Sequence, residues 1–554
     1  MSDDLLPDAT SRISPAITSP SAASAARNAT AQTATAASTA ANAAASQGKS
    51  ALAGVGSALG ITAATAAATA GIGIAALGIN GAIRAARHVP TEAIGTQREA
   101  NPEVTSLAAA DLAALIQCAT LSAPNLRDPA TFTALHAVIA QRFPLLTATL
   151  EATYLGQAGV MYRWVGAGSA GVVENQIPDE RPLILLAHLD VVPAQDAELW
   201  THPPFAAIND GERIHGRGAL DNKGALTALL RGVELLLEQG FTPQRDVWLC
   251  LGDTEETAGQ TAELMATELE RRGVEPFLIL DEGGAVVEPG ALLGVPHWAA
   301  MIGVAEKGIL DVRLTSSAPG GHASTPAKNG ATARIARAIT RIEKYQFPSA
   351  IPAPTRQMMS ELGRYASGAL KFVYANVDVL AGPLAKALQL AGPETAAMTR
   401  TTAAVTQLSG SAASNVIAES ASATVNLRLA IGSTSEDAVA HLRRAVDDDL
   451  IEIDIMSVTE PSAVSPMDGP AWDLLNASVR AAFPDAIPAP YVQTGATDSR
   501  RFTGLSACVY RFAPLRMTKA DREHLHAANE SVLVETLAEG VHFIVDLIER
   551  VDGR

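Results

Sequence analysis

Cysteine is nearly absent from this chain of 554 residues. The three that occur, Cys118, Cys250 and Cys508, lie far apart, and two of them sit inside apolar runs. That spacing argues against a disulfide framework or a cysteine zinc knuckle and reads the three as small buried hydrophobes. A metal ion in this protein would have to be held by histidine and carboxylate. Aromatic residues are scarce too, 4% of the chain against 48% hydrophobic residues in all, so alanine carries much of the apolar count. A positive mean hydropathy built on alanine does not describe a membrane protein throughout. Positive charge is in deficit: 41 Lys and Arg against 58 Asp and Glu leave a formal charge of −17. An acidic surface repels phosphate backbones, which argues against nucleic acid as a partner. The length exceeds what one hydrophobic core organises, so two or more domains are expected.

Charge is missing altogether from Ala51 to Ile83. The run is longer than the roughly 20 residues that span a bilayer. Alanine and glycine gain little from lipid, however, so it reads either as a membrane anchor or as an Ala-rich linker or soluble helix. Lys49 on one flank, with Arg84 and Arg87 on the other, leaves the side of the membrane open; without insertion the chain would be cytoplasmic. Residues 1–50, mostly Ala, Ser and Thr, read as a disordered tail.

Beyond the tail the pattern becomes that of a globular fold. Pro182–Ala187, Asp246–Leu251 and Phe277–Leu280 are short, continuous apolar runs, the mark of strands buried on both faces. Ala225–Leu237 and Ala262–Arg272 carry a helical period in the two gaps between them. Strands alternating with helices predict an α/β fold with a mostly parallel sheet flanked by helices. Gly308–Leu314 and Ser422–Leu429 alternate as half-exposed strands do, while Ala331–Ile342 and Glu436–Asp447 are helical. These predict a smaller α+β lid domain inserted into the first. The expected boundaries are 95–304 for the first part of the catalytic domain, 305–430 for the lid and 431–554 for the second part. A helical insertion is expected near 345–406, entered through a loop marked by Pro348, Pro352 and Pro354.

The chemistry lies at the strand ends. Ligands of open α/β sheets bind beyond the carboxyl ends of the strands. His188, the pair Glu255 and Glu256, and Asp281 each follow a predicted strand. Asp221 opens a helix after a glycine-rich turn, and His526 follows the strand that ends near Phe512. Two histidines and three carboxylates suit zinc, and one carboxylate can bridge two ions about 3.5–4 Å apart. Taken singly, a His-x-Asp triplet arises by chance and paired glutamates are usually a solvated helix start. The agreement in position is what singles the set out.

His188-Leu189-Asp190-Val191-Val192-Pro193, Gly216-Arg217-Gly218-Ala219-Leu220-Asp221-Asn222-Lys223-Gly224 and Glu255-Glu256-Thr257-Ala258-Gly259 resemble the motifs of the zinc aminoacylase and carboxypeptidase family. Thr399-Arg400-Thr401-Thr402-Ala403 and Gly495-Ala496-Thr497-Asp498-Ser499-Arg500 are most similar to its carboxypeptidase S and N-fatty-acyl amino acid hydrolase branch. The resemblance runs from about Leu107 to the C-terminus. It implies a two-zinc exopeptidase-like catalytic domain in which cobalt or manganese could replace zinc. His188 and Asp281 would hold one ion, Glu256 and His526 the other, and Asp221 would bridge them. Glu255 would be the general base, and Asp190 would orient His188 through its second ring nitrogen. His322 would stabilise the oxyanion, often from a partner subunit in the family, which implies a homodimer through the lid. Asn415, Arg428, Gly495 and Thr497 would bind substrate, a small peptide or an N-acyl amino acid. The implied reaction is hydrolysis of an amide bond next to a free carboxylate. Ala418, Ala496 and Ala527 depart from the family pattern without removing a ligand. An inactive binding or regulatory homologue of the same fold would lack a ligand or the base, and neither is missing.

Overall fold

The structure is a computed structural model that describes residues 71–169, 180–194, 197–290 and 294–553. It divides into two compact units, residues 1–87 and 88–554. In the first unit the described element is the helix Gly71–Arg87, 17 residues long. The expected tail and most of the candidate anchor, through residue 70, lie outside the described residues. Among the described residues no helix is long and apolar enough to cross a membrane, so this part of the chain lends the anchor expectation no support.

The second unit is built on a ten-stranded mixed sheet. At its centre Val247–Gly252, Leu183–His188, Leu278–Asp281 and Val509–Arg511 run parallel, side by side. Leu183, Leu185 and Ala187 join Val247, Leu249 and Leu251 in a core covered by the helices Pro129–Arg142, Lys223–Glu238 and Val534–Val551. Ile184 and Leu186 join Trp248 and Cys250 on the opposite face, beneath the helix Thr261–Arg271. Successive side chains point to opposite faces, and here both faces are covered, which is why these strands read as unbroken apolar runs. Each buried Leu, Ile or Val among them contributes about 1.5–3 kcal/mol. The register pairs His188 with Gly252 and Asp281 with Arg511, so the carboxyl ends of the central strands come out level.

The lid is a four-stranded antiparallel sheet in the order Thr402–Ser409, Ser420–Leu429, Gly308–Ser317, Ile451–Thr459. The helices Ala331–Lys344 and Ser435–Val446 cover one face, packing Ile335, Ala338 and Leu442 on Val425 and Leu427. One expected boundary is corrected. The lid closes at Thr459 rather than at residue 430, because Ile451–Thr459 pairs with Ile309–Ser316 of the strand Gly308–Ser317. The helical insertion, from Ala353–Gly363 to Pro393–Ala397, interrupts the lid in sequence but packs on the catalytic sheet. Its Met358, Met359, Leu362 and Tyr374 share a core with Val295, Met301, Ile487 and Ala489.

Candidate metal centre

Asp221 stands between two histidines. Its Oδ1 is 3.0 Å from His188 Nε2 and its Oδ2 is 3.0 Å from His526 Nε2. His526 Nε2 also lies 3.2 Å from Glu256 Oε2, and His188 Nε2 lies 3.5 Å from Glu282 Oε1. Two groups of potential ligand atoms result, His188 with Asp221 and Glu256, and His188 with Glu255 and Glu282, each within 4.8 Å of one another. Imidazole nitrogen and carboxylate oxygen, with no thiolate, are a donor set for zinc or a similar first-row ion. His188 is buried at 1% exposure and His526 is 53% exposed, so the centre is closed on one side and opens on the other.

Each ligand is held by the fold. His188 Nδ1 faces the main-chain oxygen of Asp190 at 2.9 Å, which turns Nε2 toward Asp221. Asp190 therefore orients the ring chiefly through its carbonyl, since its carboxylate is farther away, at 3.5 Å. That carboxylate accepts instead from the backbone N–H groups of Glu255 at 3.2 Å and Glu256 at 3.3 Å, tying the glutamate pair to the His188 strand. The loop carrying Asp221 is fixed by the fully buried Glu530. Its carboxylate accepts from Arg217 Nη1 at 2.6 Å and from the N–H groups of Gly218, Leu220 and Asp221 at 3.1, 2.8 and 3.1 Å. Gly218 takes a φ of +86° there, and a Cβ on it would meet Val191 at 2.7 Å, so the turn requires glycine.

The centre is over-supplied with negative charge. Burial, followed by the charges of Glu282, Asp498 and Asp221, raises Glu255 well above the ordinary carboxylate range, with His188 pulling the other way. Burial is the largest cause of upward shifts at Glu256, Asp281, Glu282 and Asp498 as well. Burial also works to raise Asp221, but hydrogen bonds from His188 and His526 outweigh it and hold the group below the usual range. His526 is pushed up to about 10 by its hydrogen bonds to Asp221 and Glu256. A bound cation relieves such a field.

Asp281, expected as a ligand, belongs to neither group. Its Oδ2 accepts from Ser499 N at 2.7 Å and its Oδ1 from Glu282 N at 2.8 Å. The next residue, Glu282, takes the place beside His188 and is itself held by Asn222 Nδ2. The hydroxyl of Thr497 donates to the buried Glu306 at 2.7 Å. Gly495 is half-exposed, with open space beside it as far as Gln493 Nε2 at 3.6 Å. Arg428 lies on the lid-sheet face turned away from the two lid helices, half-buried. His322 and Asn415 are exposed on a small ribbon in which Gly321–His322 pairs with Val416–Ile417. His322 Nδ1 bonds Ser324 Oγ at 2.7 Å, and Asn415 O accepts from Ala323 N at 3.0 Å. Among the described residues neither forms a hydrogen bond to the histidine–carboxylate cluster.

The profile of peptidase family M20/M25/M40 matches residues 184–550. "Probable carboxypeptidase S-like 2" of Dictyostelium discoideum is 31% identical over 424 residues, which cover 76% of this chain and 80% of that protein. N-fatty-acyl-amino acid synthase/hydrolase PM20D1 of Homo sapiens is 33% identical over 387 residues, 69% of this chain and 76% of that one. Among solved structures, an M20 family metallo-carboxypeptidase, Sso-CP2 from Sulfolobus solfataricus, superposes with a TM-score of 0.58 at 17% identity, covering 81% of this chain and 99% of its own.

Proposed function

This chain belongs to peptidase family M20/M25/M40, and we propose that it hydrolyses the amide bond next to a free carboxylate, in small peptides or N-acyl amino acids, at a centre of two zinc ions. One observation carries the reading: a single carboxylate, Asp221, gives one oxygen to His188 and the other to His526. The residues present fit a metal pair. His188 and Glu282 would hold one ion, Glu256 and His526 the other, and Asp221 both. Bound there, the ions supply Lewis acidity, lowering the pKa of water and polarising the scissile carbonyl.

The chain supplies the rest. Glu255, in reach of the centre and raised by burial, takes the proton of the attacking water and returns it to the leaving amine. Arg428 holds the free carboxylate, since a guanidinium fork matches its two oxygens. His322, exposed on the lid, stabilises the developing oxyanion of a partner subunit's substrate. The names of the two relatives favour peptides with a free C-terminus and N-acyl amino acids as the substrates to try first.

The test is metal analysis of the purified protein with a release assay on N-acyl amino acids and dipeptides. Two ions per chain and release of a free amino acid are expected. Protein without metal that releases nothing would overturn the reading. The ligand choice is tested separately. Glu282→Gln is expected to lower metal content by about one ion per chain. Asp281→Asn is expected to keep both ions and to lower the melting temperature, because it weakens the buried hydrogen bonds to Ser499 and Glu282. The reverse pattern would return the ligand role to Asp281.

A further inference from the structure

Where the lid joins the catalytic sheet, Lys307, Arg400 and Arg428 gather, and among the described residues none of the three forms an ion pair with an acid. Lys307 lies between the catalytic strand Trp298–Glu306 and the lid strand Gly308–Ser317 and is buried at 2% exposure. Its Nζ donates to the carbonyls of Ala397 and Arg400 at 3.1 and 2.8 Å, and it has no carboxylate partner among the described residues. Arg428 is paired in register with Ile309 on one side and Thr402 on the other. Lys307 and Arg400 each sit two residues before those partners, so all three cations share one end of the lid sheet. Arg428 has Asp311 as its nearby acid, but that carboxylate already accepts from Asn426 Nδ2 at 2.7 Å and Ser457 Oγ at 2.9 Å.

Arg400 is the anomaly. Its Nε and Nη1 are buried from solvent and have no hydrogen-bond partner. No acid pairs with it among the described residues, and burial lowers its pKa with no opposing anion. Lys307 is held down to about 8 by burial first and then by the charges of Arg428 and Arg400. Guanidinium donors shielded from water and left unpaired are costly unless a ligand completes them. The group also adjoins the metal centre. Arg500 donates from Nη2 to Lys307 O at 3.4 Å and stands in electrostatic range of Arg428. Two residues earlier on the same turn, Asp498–Phe502, Asp498 stands in electrostatic range of His188 and Asp281.

We infer that Arg400 is a specificity-determining residue for the substrate's free carboxylate, closing on it together with Arg428 as a two-sided guanidinium clamp. The inference rests on the amide-hydrolase reading for the identity of the ligand. Lys307 is the fixed cation behind the clamp, since its ammonium is engaged by carbonyls of the segment that carries Arg400. One carboxylate satisfies the unused donors of Arg400 and offsets the excess charge, whereas a neutral amide does neither. Arg400 thus acts on binding and on the choice of acid over amide, not on the chemical step.

Binding is measured by calorimetry in the Glu255→Gln background, so that the result does not depend on turnover. The probes are N-dodecanoyl-L-phenylalanine and its α-carboxamide. The parent is expected to prefer the acid, and adding Arg400→Gln is expected to weaken acid binding about tenfold or more while leaving the carboxamide nearly unchanged. Arg400→Lys should recover part of the loss, which a merely structural role would not do. Equal losses for acid and carboxamide, an unchanged acid affinity, or no acid preference in the parent would each overturn the clamp. Failure of the hydrolase reading shows elsewhere, as wild-type protein that releases no amino acid.

Discussion

Glu255→Gln is expected to lower turnover by roughly 10²–10⁴-fold, the usual worth of a positioned acid–base group, while both ions stay bound. The two neighbouring glutamates divide the work. Glu256 reaches His526 at 3.2 Å and so belongs to the ligand set. Glu255 shares a cluster with His188 and Glu282 and makes no such contact with His526 among the described residues. Its backbone is pinned by Asp190 at 3.2 Å, which fixes the direction of the side chain without using its carboxyl group. Burial and the surrounding carboxylates favour the protonated form, so the group is suited both to accepting a proton and to giving it back. Glutamine keeps the size and removes only that ability. The check is kcat alongside metal content of the same preparation. Turnover retained within a few-fold would exclude Glu255 as the base, and metal lost together with turnover would make it a ligand.

Much of this centre is legible in the sequence because it depends on strand ends. Runs such as Leu183–Ala187 announce strands buried on both faces, and the polar residue that breaks each run marks the carboxyl end of the sheet. That logic brings out His188 and Glu256, while Asp221 is marked by the glycine-rich turn before a helix and His526 by its place after the strand that ends near Phe512. It singles out Asp281, whereas the structure sets Glu282 beside His188, for a reason built into strands. Adjacent residues there point to opposite sides, so a one-residue difference in where the strand ends exchanges the acid that faces the site. It does not reach Glu530, or the partner of Thr497, because these contacts come from distant segments. Nothing local marks Glu530 as the acceptor of four bonds from the Asp221 loop, or Thr497 as facing Glu306. The lid boundary was there to be read: Ile451-Glu452-Ile453-Asp454-Ile455 alternates as the other lid strands do. The placement of the helical insertion was not, since its apolar residues would suit either sheet.

Removing the metal is expected to destabilise the protein, and by more at pH 8 than at pH 5. A ligand that binds only the folded state stabilises it by about 4 kcal/mol at a thousand times its dissociation constant, so stripping it alone lowers the melting temperature. The pH dependence comes from what is left behind. Without cations, Glu255, Glu256, Asp281, Glu282 and Asp498 have folded pKa values raised by burial and by one another. For such acids the folded state holds more protons than the unfolded state between the ordinary carboxylate value and the raised one. Stability therefore falls as pH rises through that window. The histidines act in the same direction. His188 is raised and His526 is raised to about 10, so their contribution is fully present below the ordinary histidine value near 6.5 and is lost as pH rises through the raised values. Asp221, depressed by its two histidines, works the other way, but only below the ordinary Asp value near 3.8, outside the range compared. Melting curves of chelated and metal-loaded protein from pH 5 to pH 8 measure the gap. If it stays constant or narrows toward pH 8, the uncompensated carboxylates are not the reason this centre needs its ions.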